Sequence, residues 1–465
     1  MLNVATIVLA AGLGKRTGSK LPKVLLETSE GYPLVSYVLE TIEKIKPAHV
    51  SVIVGYQSEL VSEYISSFLP NLPRLEFCKQ ASQRGTGDAV KAAKSSLEYW
   101  QGPILILCGD MPLVTEASLK SLVENHEKSK ATISLLTASL SYDNSYGRII
   151  RDSASHPTAI VERKDCSQAE IAISERNLGI YCVDSAFLFS ALDRIENNNS
   201  QSEFYLTDIV KLAAKEGQTV IAVSSGNPEE ALGVNDLSDL LLVNEALRKR
   251  RINSWALAGV KFTAPESVTI DRSAKLAANV VIGPSVQILG KTEIAENTVI
   301  EGSAIIRDSK IGKDCTLRLG SYVTEAVLED SVRIGPFVHI RPKSHLCRDV
   351  GIGNFVELKN AQLASGVKAN HLSYLGDCEI GENSNIGAGT ITCNYDGIKK
   401  SKTTIGKDVF VGSNSALVAP VSLGDGSVIG AGSVITKDVA PDSLAITRAQ
   451  QTSKAGWAKT RKSRK

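Results

Sequence analysis

Residues 280–306 read VVIGPSVQILGKTEIAENTVIEGSAII, and this stretch decides the fold of the C-terminal half because an isoleucine recurs at every sixth position from Ile282 to Ile306. Two further aliphatic series with the same period begin at Ile334 and at Ile405. A six-residue period is typical of a parallel β-helix, in which one aliphatic side chain per short strand points inward and small residues form the corners. The three series therefore predict a parallel β-helix.

The first half of the chain has a different pattern, in which short aliphatic runs alternate with amphipathic stretches. The runs at 5–11, 50–54 and 104–108 resemble strands that are buried on both faces. The stretches at 34–45 and 89–97 have the spacing of helices. Strands that alternate with helices predict a Rossmann-like α/β domain with a mostly parallel sheet.

The chain is too long for a single ordinary core, since it has 465 residues. We expect an α/β domain at 1–236, a connecting helix at 237–258 and the β-helix at 259–465. The six-residue period is interrupted at 359–374 and at 392–402. Interruptions of a solenoid become loops on one face, which is often the binding face.

Composition and charge exclude several classes of protein. The formal net charge is only +2 and aromatic residues make up 5% of the chain, which argues against a nucleic-acid partner. The basic run at 459–465 is interpreted as a solvated terminus. No apolar stretch approaches the roughly 20 residues that span a bilayer, so no membrane association is expected.

The eight cysteines are scattered singly, without a Cys-x-x-Cys pair. This pattern indicates neither a structural zinc site nor a redox dithiol. In a chain of this size, such cysteines are typical of a reducing compartment, so we expect a cytoplasmic protein.

A glycine-rich turn follows the first predicted strand. Gly12 and Gly14 would let backbone N–H groups approach an anion, and Arg16, Lys20 and Lys23 add positive charge nearby. The turn fits neither the Walker loop nor the dinucleotide fingerprint. It is therefore a candidate phosphate cradle, and a simple strand-to-helix turn remains the alternative.

Asp110 follows the aliphatic run at 104–108 within the segment Gly-Asp-Met-Pro. Ligands of open α/β sheets bind at the carboxyl ends of the strands. A carboxylate there could bind Mg²⁺ together with substrate phosphates. An ordinary turn remains the alternative at this position.

These motifs resemble the sugar-nucleotide pyrophosphorylases. With the β-helix, the chain from about residue 5 to residue 457 resembles the bacterial family of bifunctional N-acetylglucosamine-1-phosphate uridylyltransferases/glucosamine-1-phosphate acetyltransferases. Its expected fold is a Rossmann-like nucleotidyltransferase followed by a left-handed parallel β-helix. The segments that carry the resemblance are LAAGLGKR at 9–16, LPK at 21–23, QASQRGTG at 80–87, GDMP at 109–112, YGRI at 146–149, IVERKD at 160–165, Asn177 and GVN at 233–235.

The resemblance implies a uridylyltransferase site in the first half. Gln80, Gly85 and Thr86 would contact uracil and ribose, Gly147, Glu162 and Asn177 would hold the sugar, and Lys23 would offset phosphate charge. Asp110 and Asn235 would bind Mg²⁺. The residues implied to bind UTP and the sugar phosphate are Leu9, Ala10, Ala11, Gly12, Lys23, Gln80, Gly85, Thr86, Gly147, Glu162, Asn177 and Asn235. The sequence departs from the family pattern at Lys15, Thr17, Asp88, Arg176 and Leu178, which bears on the preferred sugar.

The resemblance also implies an acetyltransferase site in the second half, with acetyl-CoA as the donor. A lone histidine is more often a surface or core residue, but imidazole has the pKa that a base for amine acetylation needs, and His371 would be this base. The residues implied to hold glucosamine-1-phosphate are Arg341, Lys359, Tyr374, Asn385 and Lys400. Those implied to contact acetyl-CoA are Ala388, Asn394, Tyr395, Ser413, Ala431 and Arg448.

The resulting hypothesis is a cytoplasmic homotrimer that acetylates glucosamine-1-phosphate, couples the product to UMP, and supplies precursors of peptidoglycan and lipopolysaccharide. One alternative keeps only the nucleotidyltransferase and treats the β-helix as a trimerisation scaffold. Another is a sugar-nucleotide sensor without turnover. The set around His371 argues against the bare scaffold, and Lys23, Asp110 and Asn235 argue against the sensor.

Overall fold

The computed structural model describes residues 3–69, 72 and 74–462, so the last three residues of the basic run at 459–465 lie outside it. The chain divides into two compact units, Met1–Leu247 and Arg248–Lys465. None of the described helices has the length and apolar character to cross a bilayer.

The N-terminal unit is built on a nine-stranded mixed sheet. Its strands are β1 (Ala5–Ala10), β2 (His49–Val54), β3 (Leu75–Lys79), β4 (Pro103–Cys108), β5 (Ile133–Ser139), β6 (Arg148–Arg151), β7 (Pro157–Val161), β8 (Glu175–Asp184) and β9 (Val220–Ser224). The order β3-β2-β1-β4-β8-β5-β9 places β1 in the interior, and β6 and β7 form a hairpin beside β8. β8 runs antiparallel to both β4 and β5, whereas the β1, β2, β3 and β4 pairings are parallel.

Helices connect the strands of this sheet. They are α1 (Leu34–Ile45), α2 (Ser58–Phe68), α3 (Thr86–Lys91), α4 (Glu116–Ser129), α5 (Gln168–Ile171), α6 (Ser185–Leu192) and α7 (Asp208–Lys215). α1 begins after Pro33 and buries an apolar face that includes Leu39 and Ile42. The Thr115 side chain caps α4 by accepting a hydrogen bond from the Ser118 N–H group at 3.2 Å.

The prediction of a helix at 89–97 is wrong in its bounds. α3 spans Thr86–Lys91, and turns follow it as far as Tyr99. The helix begins earlier because Gly85 lies outside helical geometry, with φ 116°, and starts the first turn. A longer helix, α8 (Leu237–Leu257), contains the point at which the two units divide.

The second unit is a left-handed parallel β-helix, which confirms the predicted fold class. Strands stack coil on coil, with an offset of 18 residues at Val281↔Val299 and 17 residues at Val299↔Thr316. Ile282 and Ile306 are fully buried within it, as the six-residue period requires. A last helix, α9, covers Trp457–Lys462.

The strands of the β-helix form one sheet of 11 strands and another of 17 strands. In chain order, β10 to β37 are Lys261–Phe262, Thr269–Ile270, Lys275–Leu276, Val281–Ile282, Gln287–Leu289, Glu293–Ile294, Val299–Ile300, Ile305–Arg307, Lys310–Ile311, Thr316–Leu317, Tyr322–Thr324, Val327–Leu328, Arg333–Ile334, His339–Ile340, His345–Leu346, Gly351–Asn354, Glu357–Leu363, Lys368–His371, Tyr374–Ile380, Asn385–Ile386, Ile391–Cys393, Thr403–Ile405, Phe410–Val411, Ala416–Val418, Val421–Leu423, Val428–Ile429, Val434–Ile435 and Leu444–Ala445.

The two interruptions of the period have different outcomes. The predicted loop at 359–374 is wrong, because β26 (Glu357–Leu363) continues the coil and pairs in parallel with its neighbours. One residue is missing from this coil, which shifts the phase of the period without opening the wall. The interruption at 392–402 does form a loop, since Ile391 pairs with Ala416, 25 residues later.

Candidate active sites

A cleft of about 980 Å³ opens at the carboxyl edge of the N-terminal sheet. β1 and β4 are parallel neighbours, so their carboxyl ends bring the glycine turn and Asp110 to the same edge. The Gly109 N–H group donates to the Leu9 carbonyl at 2.9 Å and joins the two strand ends. Leu9 and Asp110 both line the cleft.

The glycine turn packs against Lys23. Gly14 has a left-handed φ of 70°, and a Cβ there would lie 2.9 Å from the Cβ of Lys23. The Lys23 N–H group donates to the Gly12 carbonyl at 3.4 Å. No described atom lies within 4 Å of a Cβ placed on Gly12, so this side of the turn is open to a ligand.

The Lys23 ammonium lies between two oxygen donors. It forms an ion pair with Asp110 and donates to Asn235 Oδ1 at 3.3 Å. The Val234 N–H group donates to the Asp110 carbonyl at 3.1 Å, which ties the loop of Asn235 to the end of β4. The structure thus brings the three charged or oxygen-bearing residues of the prediction together around one cation.

Three predicted sugar-binding residues lie together in the same cleft. The Asn177 N–H group donates to the Gly147 carbonyl at 2.9 Å, and its side-chain amide donates to the Tyr181 hydroxyl at 2.7 Å. Glu162 Oε1 accepts a hydrogen bond from the Thr207 hydroxyl at 3.2 Å. An amide and a carboxylate therefore face the cleft and can bind sugar hydroxyl groups.

Burial raises the pKa of Glu162. The Thr207 hydroxyl opposes this effect, and nearby carboxylates, including Asp165 and Asp208, raise the pKa further. A carboxylate in such a place favours ligands that donate hydrogen bonds to it.

The segment at 80–88 is only partly in the cleft. Thr86 lines it, and the Thr86 hydroxyl accepts a hydrogen bond from the Leu206 N–H group at 3.0 Å. Gln80 instead donates to Asp88 at 3.0 Å and to the Gly85 carbonyl at 3.2 Å, and it lines a separate depression of about 240 Å³. The structure does not bring the Gln80 side chain into the main cleft.

The departures from the family pattern lie in different environments. Leu178 lines the cleft. Arg176 is buried and donates to the Tyr142 carbonyl at 3.3 Å, and burial together with the neighbouring Arg148 lowers its pKa. Asp88 binds Gln80, as described above. The side chain of Lys15 lies outside what the structure describes.

Sequence reasoning did not name several residues of the cleft as binding residues. The Tyr146 hydroxyl accepts a hydrogen bond from the Gly233 N–H group at 3.0 Å, and burial raises the pKa of Tyr146. Both residues belong to motifs that carried the resemblance. Tyr181 follows Asn177 by four residues on the same strand, so the two-residue period of β8 could have identified it.

In the β-helix, His371 ends strand β27 and is exposed. Its Nδ1 atom lies 2.9 Å from Oδ1 of Asn354, the residue that pairs with it in the preceding coil. Because an amide oxygen only accepts hydrogen bonds, this contact places the imidazole proton on Nδ1. Nε2 is therefore left with a lone pair that can accept a proton.

The coil register places three predicted acetyl-CoA contacts in one column with His371. Ala369 pairs with Ile386, which pairs with Val411, which pairs with Ile429. The residues two positions further along each strand are His371, Ala388, Ser413 and Ala431. Neighbouring strands are about 4.8 Å apart, so the column is about 14 Å long.

Positive side chains lie beside each other in the sheet of 17 strands. Arg341 and Lys359 follow the paired residues Ile340 and Leu358 in adjacent coils. A hydrogen bond with Lys359, and the charge of Lys359, lower the pKa of Lys400. Two ammonium groups at such close range favour a bound anion, since an anion offsets their repulsion.

The loop at 392–402 holds two further predicted residues. Asn394 is 7% exposed and donates to Asp377 at 2.5 Å, so its side chain fixes the loop to β28. Tyr395 is 59% exposed and donates to the Gly397 carbonyl at 2.6 Å. Arg448 lies beside Gly432, where a Cβ would be 3.7 Å from Arg448 Cδ.

Asn385 lies on a different face from the other predicted sugar-phosphate residues. It pairs with Lys368 and Phe410 in the sheet of 11 strands. Lys359 and Tyr374 belong to strands of the sheet of 17 strands. One chain therefore does not bring Asn385 beside them.

Known proteins match both halves of the chain. Residues 6–180 match the MobA-like NTP transferase domain, and residues 402–437 match the hexapeptide repeat of succinyl-transferase. A solved structure of UDP-glucose pyrophosphorylase complexed with UDP-glucose is 16% identical, with a TM-score of 0.45, and the match covers 54% of this chain and 100% of that chain.

Curated relatives match the chain over nearly its full length. The bifunctional protein GlmU of Geotalea uraniireducens is 44% identical, over 98% of this chain and 99% of the relative. That of Geotalea daltonii is 45% identical with the same coverage, and that of Streptococcus agalactiae serotype V is 40% identical over 97% of each chain. These matches confirm the resemblance found in the sequence: the chain belongs to the GlmU family of bifunctional proteins.

Proposed function

We propose that the N-terminal cleft transfers a uridylyl group from UTP to N-acetylglucosamine-1-phosphate. A phosphate oxygen of the sugar phosphate attacks the α-phosphorus of UTP in line, a new P–O bond forms, and the bond to pyrophosphate breaks. The observation that carries this proposal is the Lys23 ammonium between Asp110 and Asn235, next to an open glycine turn. Lys23 offsets charge on the phosphates, and the turn offers N–H groups to them.

The sugar is held at the other end of the cleft. The Asn177 amide and the Glu162 carboxylate are oriented by Tyr181 and Thr207, and they hydrogen-bond sugar hydroxyl groups. A side chain at Gly147 would collide with Ile160, since a Cβ would lie 2.6 Å from its Cγ2 atom. The glycine thus keeps the backbone close to the sugar.

Mg²⁺ fits the residues around Lys23. The Asp110 carboxylate and the Asn235 amide oxygen are hard donors of the kind that Mg²⁺ accepts together with phosphates, and an ammonium group already lies between them. When bound, Mg²⁺ offsets charge on the phosphates. Asp110 and Asn235 would then hold the ion, and Lys23 would be free to contact phosphate.

The β-helix transfers an acetyl group from acetyl-CoA to glucosamine-1-phosphate. The amine attacks the thioester carbonyl, a C–N bond forms, the C–S bond breaks, and coenzyme A leaves. His371 Nε2 accepts the amine proton, while Asn354 holds the ring through Nδ1. Arg341, Lys359 and Lys400 hold the phosphate, and acetyl-CoA lies along the column that starts at His371.

A homotrimer would complete the acetyltransferase site. Asn385 lies on a different face from Lys359 and Tyr374, so a neighbouring copy could supply it. Exposed aromatic rings are stacked along the coils: Phe337 and Phe355 are 50% and 57% exposed, with their ring centroids 5.6 Å apart. Exposed aromatic surface of this kind is typical of an interface, and most homo-oligomers have closed symmetry.

The two reactions form one sequence, because the product of the β-helix is the substrate of the N-terminal cleft. UDP-N-acetylglucosamine then serves cell-wall synthesis. UTP and acetyl-CoA are supplied in the cytoplasm, and each of the eight cysteines, all within the described part of the chain, is free as in a reducing compartment. The protein is therefore assigned to the cytoplasm.

The test measures each half-reaction separately with the full-length protein. Pyrophosphate release is followed with UTP and N-acetylglucosamine-1-phosphate, and thiol release with acetyl-CoA and glucosamine-1-phosphate. We expect both activities, and His371→Ala should reduce thiol release by about 10²–10⁴-fold without changing pyrophosphate release. Absence of thiol release in the wild-type protein would favour the alternative, a nucleotidyltransferase with a β-helix scaffold.

A further inference from the structure

Glu329, His345 and Cys347 form a cluster on the outer wall of the β-helix, with one ligand atom of each side chain within 4.8 Å of the others. We propose that this cluster is a binding site for a zinc-class divalent ion. The site goes beyond both proposed activities. It also differs from the expectation drawn from the scattered cysteines, because the fold brings together donors that are 16 or more residues apart.

The register of adjacent coils explains why these three side chains meet. Leu328 of β21 pairs with Leu346 of β24, and both leucines are buried inside the coil. Since side chains alternate along a strand, the residues on either side of each leucine point outward. His345 and Cys347 therefore share one outer face, and Glu329 lies beside them in the preceding coil.

Hydrogen bonds hold the cluster in place before any ion binds. The Glu329 N–H group donates to the Leu346 carbonyl at 2.8 Å, and the Cys347 N–H group donates to the Leu363 carbonyl at 2.9 Å. The Glu329 side chain contacts His345 Nε2 at 2.9 Å through one oxygen and accepts the Arg348 N–H at 3.1 Å through the other. Backbone walls on both sides thus fix the ligands with little freedom to lose on binding.

The donor set selects the class of metal. A thiolate, an imidazole and a carboxylate are the three ligand types that zinc accepts, whereas Mg²⁺ and Ca²⁺ prefer oxygen donors alone. Three protein ligands leave one tetrahedral position for water. On binding, Cys347 loses its thiol proton to solvent as the sulfur–metal bond forms.

The surroundings leave the cluster accessible. The side chains of Glu329 and His345 are 43% and 40% exposed. Other coils carry ion pairs on this same face, such as Lys275 with Glu293, and not the exposed aromatic rings proposed for the trimer interface. The bound ion would therefore clip two successive coils together without blocking assembly.

The test uses the full-length protein, stripped by a chelator and equilibrated with Zn²⁺ in an excess of Mg²⁺, which saturates oxygen-only sites. After desalting, the metal content is measured by mass spectrometry for the wild type, Cys347→Ser and His345→Gln. Cys166→Ser and His156→Gln are matched controls, since both residues lie in the N-terminal unit. Co²⁺ replaces Zn²⁺ in a second titration that follows the sulfur-to-cobalt absorption band.

We expect about one zinc ion per chain in the wild type and in both controls, in line with a single three-ligand site. Cys347→Ser and His345→Gln should lose the retained ion, and Cys347→Ser should also lose the absorption band. Zinc-free wild-type protein after desalting, or equal retention by Cys347→Ser and Cys166→Ser, would overturn the proposal. Neither result would affect the two half-reactions, which do not depend on this cluster.

Discussion

The substitution Gly85→Ala offers a stringent test of how the uridine end of the N-terminal cleft is built. Gly85 has φ 116° and ψ 175°, a region that is essentially confined to glycine. A Cβ there would lie 2.5 Å from the Phe204 carbonyl oxygen and 2.8 Å from the Phe204 nitrogen. Both are backbone atoms, so the collision cannot be relieved by turning a side chain.

The magnitude follows from these contacts. Backbone strain contributes about 1–3 kcal/mol. Moving Phe204 away also breaks two hydrogen bonds, from Gly87 N–H to its carbonyl and from its own N–H to the Arg84 carbonyl, both 2.8 Å long. At about 1 kcal/mol each, the total loss is about 3–5 kcal/mol. For a domain of this size, that loss lowers the unfolding temperature by roughly 6–20 °C.

Calorimetry of the full-length protein measures this shift, with Gly31→Ala as the matched control. Gly31 also has a left-handed φ, 76°, but no described atom lies within 4 Å of its Cβ position. The control should therefore lose only about 1 kcal/mol. Gly85→Ala should also raise KM for UTP and leave acetyl transfer unchanged. If the two variants unfold at the same temperature with the same KM, the packing of residue 85 against Phe204 is not important.

Three other substitutions test separate parts of the account. Gly12→Ala should change the unfolding free energy by less than about 0.5 kcal/mol but raise KM for UTP, because its Cβ would point into open space where phosphate approaches; unchanged steady-state kinetics would contradict this. The raised pKa of Glu162 means that the folded state holds this proton more tightly than the unfolded state, so its stabilising effect is present in acid and lost as pH rises through the folded pKa. Glu162→Gln should consequently raise the unfolding temperature at mildly alkaline pH, should match the wild type in acid, and should weaken sugar binding; an equal shift at both pH values would argue against it. Phe355→Asp places a charge on the exposed aromatic surface and should yield monomers by light scattering that retain only uridylyl transfer, whereas an intact trimer would exclude this surface as the interface.

The periodic parts of the fold were predictable from the sequence. The aliphatic series at Ile282 and Ile334 gives the β-helix because each coil repeats the same local requirement, one buried aliphatic per short strand. The bounds of α1 were also predictable, since Pro33 precedes a strongly amphipathic stretch. The glycine turn and Asp110 were correctly expected at one edge because parallel strands share their carboxyl ends.

Features that depend on pairing between distant segments were not predictable. The coil continues through residues 359–374 because one missing residue is absorbed at a corner, a fact visible only in the register. Gln80 turns toward Asp88, and Asn385 lies on another face from Lys359, because side-chain partners and faces follow from packing. A motif identifies which residues recur in a site, but it does not identify the contacts that each one makes.

The central claim is that two independent catalytic sites act in succession, and a complementation assay tests it most directly. Full-length Asp110→Ala and His371→Ala are each supplied with glucosamine-1-phosphate, acetyl-CoA and UTP, and UDP-N-acetylglucosamine is measured by mass spectrometry. We predict that Asp110→Ala alone accumulates N-acetylglucosamine-1-phosphate, that His371→Ala alone forms no product, and that an equal mixture restores synthesis. A mixture that stays inactive, or either variant losing both half-reactions, would contradict the account.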